Sequence, residues 1–414
     1  MKQKAHQILK WSEHYLKTDM VYLTRGGFWL TVGQGTSSLL SLILATAFAH
    51  FISKEVYGNY KYILSLTGMF SMFSLTGIGT ALVRSIAKGY DGTLRYNFWL
   101  NIRWSIIIFL GSLVSSLYYF YNDNYTLGAS FLIIGSFSPF MTSASLHGAY
   151  LSGKKDFRRS SLYNIYKRIV PTVALLGTMM LSNNVIVLVL VYFASNTSII
   201  LYYYLKTLRA YHIDKNAPID PDNLHYAKHL SLMNILSGIA DKIDSVLVFH
   251  YFGAASLSVY TFSTAIPEQI IGWIKNINTL ALPKFTGQEK GIVKKELWAK
   301  FSRFFIVLIA IFLAYYVSAP YIYKYAFPNY LESVKYSQLY SVMIILTAST
   351  LNMIFLQAHK AIKENYIINI FSSTCRISLV TILIINYGIT GAIIGQLLAK
   401  AMAGTLSFIL VKRF

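Results

Sequence analysis

The sequence predicts an all-α polytopic membrane protein with about twelve transmembrane helices. Three observations lead to this class. Apolar residues make up 55% of the 414 residues, only 13% of them are charged, and the mean hydropathy is +0.48. Soluble domains carry about a quarter charged residues. Because one span needs about 20 apolar residues, the chain is long enough for roughly a dozen spans joined by short loops.

Apolar runs between polar breaks define the individual helices. The shortest breaks are Ser182-Asn183-Asn184 and Tyr387-Gly388. The predicted spans are 27–51, 60–82, 98–120, 127–150, 163–182, 185–205, 230–251, 257–282, 299–319, 335–357, 365–386 and 389–411.

Basic residues concentrate in alternate loops, which is the pattern that orients a polytopic protein. With the N-terminus inside, 28 of the 37 Lys and Arg residues fall in inner segments, four in outer loops and five within spans. This distribution predicts that both termini are cytoplasmic. It also accounts for the net charge of +21, so no nucleic-acid partner is expected.

A hydrophilic segment near the midpoint divides the spans into two groups of six. The predicted organisation is a cytoplasmic N-terminal segment (1–26), a six-helix bundle (27–206), a cytoplasmic linker (207–229) and a second six-helix bundle (230–414). An even number of spans gives both halves the same orientation. The bundles are therefore expected to be related by a pseudo-twofold axis along the membrane normal, with a central cleft between them.

Apart from residues counted with the adjoining loops, eight charged residues fall within predicted spans, where each costs about 2.5–3.5 kcal/mol on insertion scales. Such residues usually face a protein interior or a water-filled cavity. Five are cationic and three acidic, which suits a cleft for a large, polar, anionic substrate: Arg103, Lys242, Lys275, Arg376, Lys400, Asp241, Asp244 and Glu268.

The cationic positions have alternative explanations. Arg103 either lines the cavity or extends to the membrane interface. Arg25 and Arg84 lie at helix ends, where membrane anchoring and substrate contact are both consistent with the sequence. Arg376 and Lys400 lie in the middle of spans and are interpreted as cavity-lining.

The acidic positions also leave two interpretations open. Asp241 and Asp244 are three residues apart and share a helix face, whereas Lys242 points about 100° away. The acids either pair with buried Lys or Arg, or bind H⁺ or Na⁺ and couple its movement to transport. Glu268, which follows Pro267, is a weaker candidate for ion coupling.

No cofactor is predicted. The nine histidines have no metal-ligand spacing, and the single Cys375 allows no disulfide within one chain. The sequence contains no G-x-x-x-x-G-K-S/T phosphate loop, so ATP is not expected to be the direct energy source.

Three segments carry a family resemblance: YGNYKYILSLTGMFSMFSLTGIGTALVRSIAKG (57–89), HGAYLSGKKDFRRSSLYNIYKRIVP (147–171) and FHYFGAASLSVYTFS (249–263). In their order they resemble bacterial polysaccharide flippases, the polysaccharide transport branch of the multidrug/oligosaccharidyl-lipid/polysaccharide exporter superfamily. The resemblance implies movement of undecaprenyl-diphosphate-linked oligosaccharide across the bacterial inner membrane for O-antigen or capsule synthesis. It also implies a polysaccharide polymerase and a chain-length regulator as partners, and substrate contact at the position of Arg25.

Two other functions have requirements that can be compared with this sequence. A small-molecule exporter of the same superfamily would also have twelve spans and buried acids, but its cavity is usually less cationic. A membrane polysaccharide polymerase or glycosyltransferase generally needs a sizeable outer loop. The longest outer loop here, APYIYKYAFPNYLESV, is too short for a folded domain.

Overall fold

The structure is a computed structural model that describes the backbone of residues 20–214, 216–286, 290–359 and 361–413. Side chains are described within 32–214, 216–275, 301–359 and 361–413. Throughout these ranges the regular secondary structure is helical. The α-helices are α1 Met20–Phe51, α2 Lys54–Met72, α3 Ile78–Ala87, α4 Thr93–Trp104, α5 Ile106–Tyr121, α6 Tyr125–Ala144, α7 Leu146–Gly153, α8 Phe157–Leu181, α9 Val185–Ala210, α10 Asn223–Ala240, α11 Ile243–Thr286, α12 Lys290–Ala326, α13 Ser333–Tyr340, α14 Val342–Leu346, α15 Thr350–Ala358 and α16 Ile362–Arg413. Short 3₁₀ turns occupy Pro328–Tyr330 and Thr347–Ser349.

Two of the longest helices are each divided by a glycine with a positive φ angle. Gly253 (φ 78°) interrupts α11 and Gly388 (φ 59°) interrupts α16. These are the joints between the seventh and eighth and between the eleventh and twelfth predicted spans. Glycine adopts this conformation without the steric cost that a side chain would impose. The Tyr387-Gly388 break is therefore observed where the sequence predicts it.

Seven segments of the described chain are long and apolar enough to cross a membrane. They coincide with eight of the twelve predicted spans, because Ile362–Arg413 contains the last two. The other four predictions, 60–82, 163–182, 230–251 and 257–282, also fall in helical segments. A turn divides 60–82 between α2 and α3, and another divides 230–251 between α10 and α11. The protein is a multi-pass, all-helical membrane protein.

The described chain forms two compact units. One comprises Gly35–Ser258; the other comprises Val259–Phe414 with the chain up to Gln34. The division predicted from chain order, at the hydrophilic segment 207–229, remains a prediction.

Within the unit Gly35–Ser258, two helices approach each other closely at a glycine. A Cβ atom added to Gly58 of α2 would lie 1.8 Å from the carbonyl oxygen of Ala254. Ala254 directly follows the positive-φ residue Gly253. The aromatic ring of Tyr57 packs beside this contact against Phe48, with the ring centroids 4.8 Å apart. The Tyr-Gly pair of the sequence motif is thus a packing element.

Helix α10 packs against α2 and α3 in the same unit. The backbone N–H of Gly77, just before α3, donates to the hydroxyl of Ser231 at 2.9 Å. A Cβ atom on Gly238 would lie 2.0 Å from the sulfur of Met72. Small residues on both sides therefore allow the helices to pack closely, as in other membrane helix pairs.

The hydrophilic segment before α10 is held against this unit by buried hydrogen bonds. The Asp220 carboxylate, 4% exposed, accepts from the Ser85 hydroxyl at 2.8 Å and from the backbone N–H of Asp222 at 3.1 Å. The backbone N–H of Asp220 donates to Thr93 at 3.1 Å. A polar group removed from water is stabilised only when it is hydrogen-bonded, so these contacts fix the segment.

The electrostatics of Asp220 follow from these contacts. Burial alone raises the pKa of the Asp220 carboxyl, but hydrogen bonds from Ser85 and Asp222 and the charges of Lys88 and Arg84 outweigh burial. Together they hold the pKa below its ordinary value of 3.8. The charged form therefore stabilises the fold above about pH 4, and this contribution is lost as the pH falls through the lowered pKa.

We expect Gly58→Ala to destabilise the protein, because the added methyl group meets the Ala254 carbonyl and the two helices must separate. Overpacking of this kind costs about 1–3 kcal/mol. The measurement is the midpoint of thermal unfolding in detergent. Gly79→Ala is the matched control, since nothing lies within 4 Å of a Cβ atom there. Equal midpoints for the two variants would contradict the close approach.

We expect Asp220→Ala to lower stability at pH 7 by about 1–3 kcal/mol, because it removes the charged acceptor of the Ser85 hydroxyl and leaves the backbone N–H of Asp222 without its carboxylate partner. The difference from wild type should shrink as the pH falls from about 4 through the lowered native pKa. Unfolding midpoints across pH 3–7 test this. Asp222→Ala removes an exposed carboxylate that makes no capping hydrogen bond, so it should change stability little at either pH. A constant difference across the pH range would refute the role of the Asp220 charge.

Candidate functional site

The three charged residues of the seventh predicted span, Asp241, Lys242 and Asp244, lie at the junction of α10 and α11. Asp241 and Lys242 occupy the short turn between the two helices, where the Lys242 N–H bonds the carbonyl of Ile239. Asp244 lies in the first turn of α11 and is 4% exposed, whereas Asp241 is exposed. The seventh predicted span is therefore two helices joined by a turn.

Lys242 extends along α2. A Cβ atom on Gly68 would lie 3.2 Å from Cε of Lys242, so the aliphatic stem packs against this glycine. The charges of Lys242 and Lys61 are close enough to interact. Two cations therefore occupy the same region of the unit Gly35–Ser258, a feature that favours binding of an anion.

Three other predicted cations, Arg84, Arg103 and Arg25, do not belong to this region. Arg84 is exposed, and its guanidinium carbon lies 4.8 Å from the centre of the Tyr226 ring. Arg103 is exposed in a pocket between α4 and α9. Arg25 belongs to α1, but its side chain is outside the described residues.

In the unit Val259–Phe414, the two arms of α16 pack closely after the turn at Gly388. A Cβ atom on Gly391 would lie 1.9 Å from the carbonyl oxygen of Leu383, and one on Gly395 would lie 2.9 Å from Cα of Val380. These glycines are four residues apart and share a helix face, a spacing that allows membrane helices to approach closely. The close approach brings the residues on either side of it together.

Arg376 and Gln396 meet across this hairpin. The Arg376 guanidinium donates to Oε1 of Gln396 at 3.3 Å. The Gln396 amide in turn donates through Nε2 to the Tyr260 hydroxyl at 2.5 Å. Gln396 is 3% exposed and Tyr260 is 4% exposed. The amide thus connects a charged side chain on α16 to a buried tyrosine on α11.

Three more charged residues belong to the same neighbourhood. The charge of Lys400, one turn beyond Gln396, interacts with those of Lys275, Arg376 and Glu268. Glu268 accepts a short hydrogen bond from the hydroxyl of Tyr340, which is 3% exposed. We call Glu268, Lys275, Arg376 and Lys400 the charged cluster. It contains three cations and one carboxylate.

The structure therefore brings together four of the seven charged residues that the sequence predicted in the spans of the C-terminal half. It also adds Tyr260, Tyr340 and Gln396, which sequence reasoning missed. A signal for Gln396 was available, because an uncharged amide in an apolar span four residues before Lys400 lies on the same helix face. The tyrosines had no such signal among the many aromatic residues of the chain.

The charged cluster is suited to binding an anion. Guanidinium and ammonium groups form strong, charge-assisted hydrogen bonds to phosphate and carboxylate oxygens. Because their excess charge lies within predicted spans, an anionic ligand would offset part of the cost of keeping cations there. Within the described residues, no group of three or more His, Cys, Asp or Glu side chains is placed to hold a metal ion.

Comparison with sequence families identifies the relatives of the chain. Residues 23–287 match the family described as polysaccharide biosynthesis protein. The chain belongs to this family. The match includes the N-terminal motif segments and extends past Glu268 of the charged cluster. A search of curated proteins found no significant match.

Solved structures with the same fold are transporters. The lipid II flippase MurJ, in an inward closed conformation, has a TM-score of 0.75 at 14% identity, covering 92% of this chain and 87% of that one. A multidrug resistance MATE family transporter of the MOP superfamily, outward-facing, has a TM-score of 0.64 at 13% identity, with 94% of both chains covered. A MOP superfamily transporter from Pyrococcus furiosus has a TM-score of 0.63 at 13% identity, with 95% of both chains covered. The protein described here therefore has the fold of these transporters, which consists of twelve helices in two bundles.

Proposed function

We propose that this protein is a flippase that moves undecaprenyl-diphosphate-linked oligosaccharide units from the cytoplasmic to the outer face of the bacterial inner membrane. The observation that carries the proposal is the charged cluster, with three cations and one acid, in a polysaccharide biosynthesis protein with a transporter fold. The units would serve surface polysaccharide synthesis, as O-antigen or capsule.

The physical problem of such transport is the diphosphate. Moving its charge into hydrocarbon without partners is prohibitively costly, so a transport path must replace water with fixed donors. In this proposal Arg376, Lys400 and Lys275 supply them. Gln396 positions the Arg376 guanidinium, because its amide oxygen accepts from it while its nitrogen donates to Tyr260.

Other parts of the chain would contribute further cations. Lys242 lies within charge range of Lys61 at the junction between α10 and α11, so it is a second candidate for diphosphate contact. Arg25 and Arg84 would contact substrate near the cytoplasmic ends of their helices. Alternating access then requires these sites to open to each side of the membrane in turn.

The proposed orientation has both termini in the cytoplasm, as the distribution of basic residues predicts. The lipid tail of the substrate would remain among membrane lipids while the head group moves. A polysaccharide polymerase and a chain-length regulator are the partners proposed for the product at the outer face.

We expect cells that lack this gene to accumulate lipid-linked oligosaccharide on the cytoplasmic membrane face. Wild type should restore outward display, whereas Arg376→Ala and Lys400→Ala should reduce its rate by about tenfold or more, since each removes charge-assisted contacts worth about 1.5–3 kcal/mol. The measurement is the accessibility of the glycan on each face of sealed vesicles. Lys324→Ala, an exposed cation far along the chain from the cluster, is the control.

Membrane insertion and abundance of each variant must match wild type. Normal outward display in the deleted strain, with no second flippase present, would overturn the proposal. The alternative is then a small-molecule exporter, which the MATE likeness favours. In that case loss of the gene would change drug sensitivity and leave surface glycan intact.

We also propose that a buried acid couples transport to an H⁺ or Na⁺ gradient, with Asp244 as the first candidate because it is 4% exposed on a predicted span. Asp244→Asn should make the flipping rate independent of the gradient. The measurement is flipping in vesicles with and without an imposed gradient. Asp241→Asn, exposed and one turn earlier, is the comparison. Unchanged gradient dependence in Asp244→Asn would exclude coupling there, and Glu268→Gln would be the next variant.

A further inference from the structure

A pocket of about 550 Å³ lies between α4 and α9 in the unit Gly35–Ser258. It is separate in sequence from the charged cluster. Two arginines, Arg95 and Arg103, line it among aromatic and aliphatic side chains that include Tyr96, Trp99 and Leu205. Its volume is within the range of about 300–1,000 Å³ typical of small-molecule sites.

The charges in this pocket favour an anionic ligand. Arg95, Trp99 and Arg103 are spaced four residues apart along α4 and so lie in one stripe. Nε of Arg95 donates to the carbonyl of Ile213 at 3.0 Å, which orients the guanidinium. Among the described residues, neither arginine forms an ion pair with an acidic side chain. Two guanidinium groups are therefore available to one ligand.

The walls of the pocket favour a lipid. Trp99 is 64% exposed, Tyr96 is 38% exposed and Leu205 is 44% exposed, so large apolar groups line an open groove. A free phosphate ion would leave these surfaces uncovered, whereas acyl chains would cover them. Exposed Trp and Tyr are typical of the head-group level of a bilayer.

The position along the chain places the pocket at one membrane face. Arg95 precedes the predicted span 98–120, and Arg103 lies about one and a half turns within it. In the proposed orientation this is the cytoplasmic interface. Basic pockets between helices at this level bind the head groups of acidic lipids.

We propose that this pocket binds an anionic phospholipid of the inner leaflet, with Arg95 and Arg103 at the head-group phosphate and Trp99 against the acyl chains. The ligand class is thus distinct from the transported substrate. The inference rests on the proposed orientation and does not depend on what the protein transports.

The test uses the full chain in bilayers of phosphatidylcholine with increasing amounts of brominated phosphatidylglycerol, which quenches nearby tryptophan fluorescence. Because the chain has six tryptophans, the Trp99 signal is the difference between the protein and its Trp99→Phe variant. We expect brominated phosphatidylglycerol to quench this signal with about tenfold higher affinity than brominated phosphatidylcholine, which corresponds to about 1.4 kcal/mol.

Arg103→Gln should reduce this selectivity to near one. Arg209→Gln removes an exposed charge from α9 outside the pocket and should leave the selectivity intact. An equal loss of lipid selectivity in both variants would indicate a general effect of surface charge and would contradict the proposed site. Quenching by the two lipids with equal affinity would also overturn it.

A competition arm separates phospholipid from substrate. Undecaprenyl diphosphate that displaces brominated phosphatidylglycerol from Trp99 at equimolar amounts would assign the pocket to the substrate lipid and contradict the proposal. Because quenching requires no transport, its result is independent of the flipping assay.

Discussion

A cation within a membrane span needs polar partners from the protein, and in the Val259–Phe414 unit one of them is an amide. Gln396 accepts from Arg376 and donates to Tyr260, so one uncharged side chain bridges a cation and a buried hydroxyl. A hydrogen bond to an amide orients a guanidinium without adding a negative charge. Such a contact is compatible with binding of an anionic head group.

This arrangement depends on how closely the backbones approach. Gly391 and Gly395 let the two arms of α16 come together, and the turn at Gly388 reverses the chain between them. The other unit uses a similar device, in which Gly58 contacts the Ala254 carbonyl directly after the positive-φ Gly253. In both places glycine serves the packing of helices as well as the turn. Side chains at these positions would move the functional groups apart.

Two arginines of the predicted spans illustrate how position decides the environment. Arg376 lies in the middle of its span and obtains its partner from a helix of the same hairpin. Arg103 lies near the start of its span and is exposed among aromatic side chains. The first environment suits a ligand taken up inside the protein, and the second suits a lipid that approaches from the membrane. The sequence already separated the two by their distance from the span end, since extension to the interface was open for Arg103 alone.

The sequence by itself determined the all-helical membrane class, because apolar runs of span length and sparse charge have no other stable arrangement in a bilayer. It also singled out Glu268, Lys275, Arg376 and Lys400, since charges in spans are costly. Only the tertiary structure showed that the charges of the other three lie near that of Lys400 and that Gln396 links Arg376 to Tyr260. It also showed that Asp220 anchors a segment that reads as a linker. These contacts join residues far apart in the chain. Their formation depends on helix packing at glycines, which periodicity and composition do not encode.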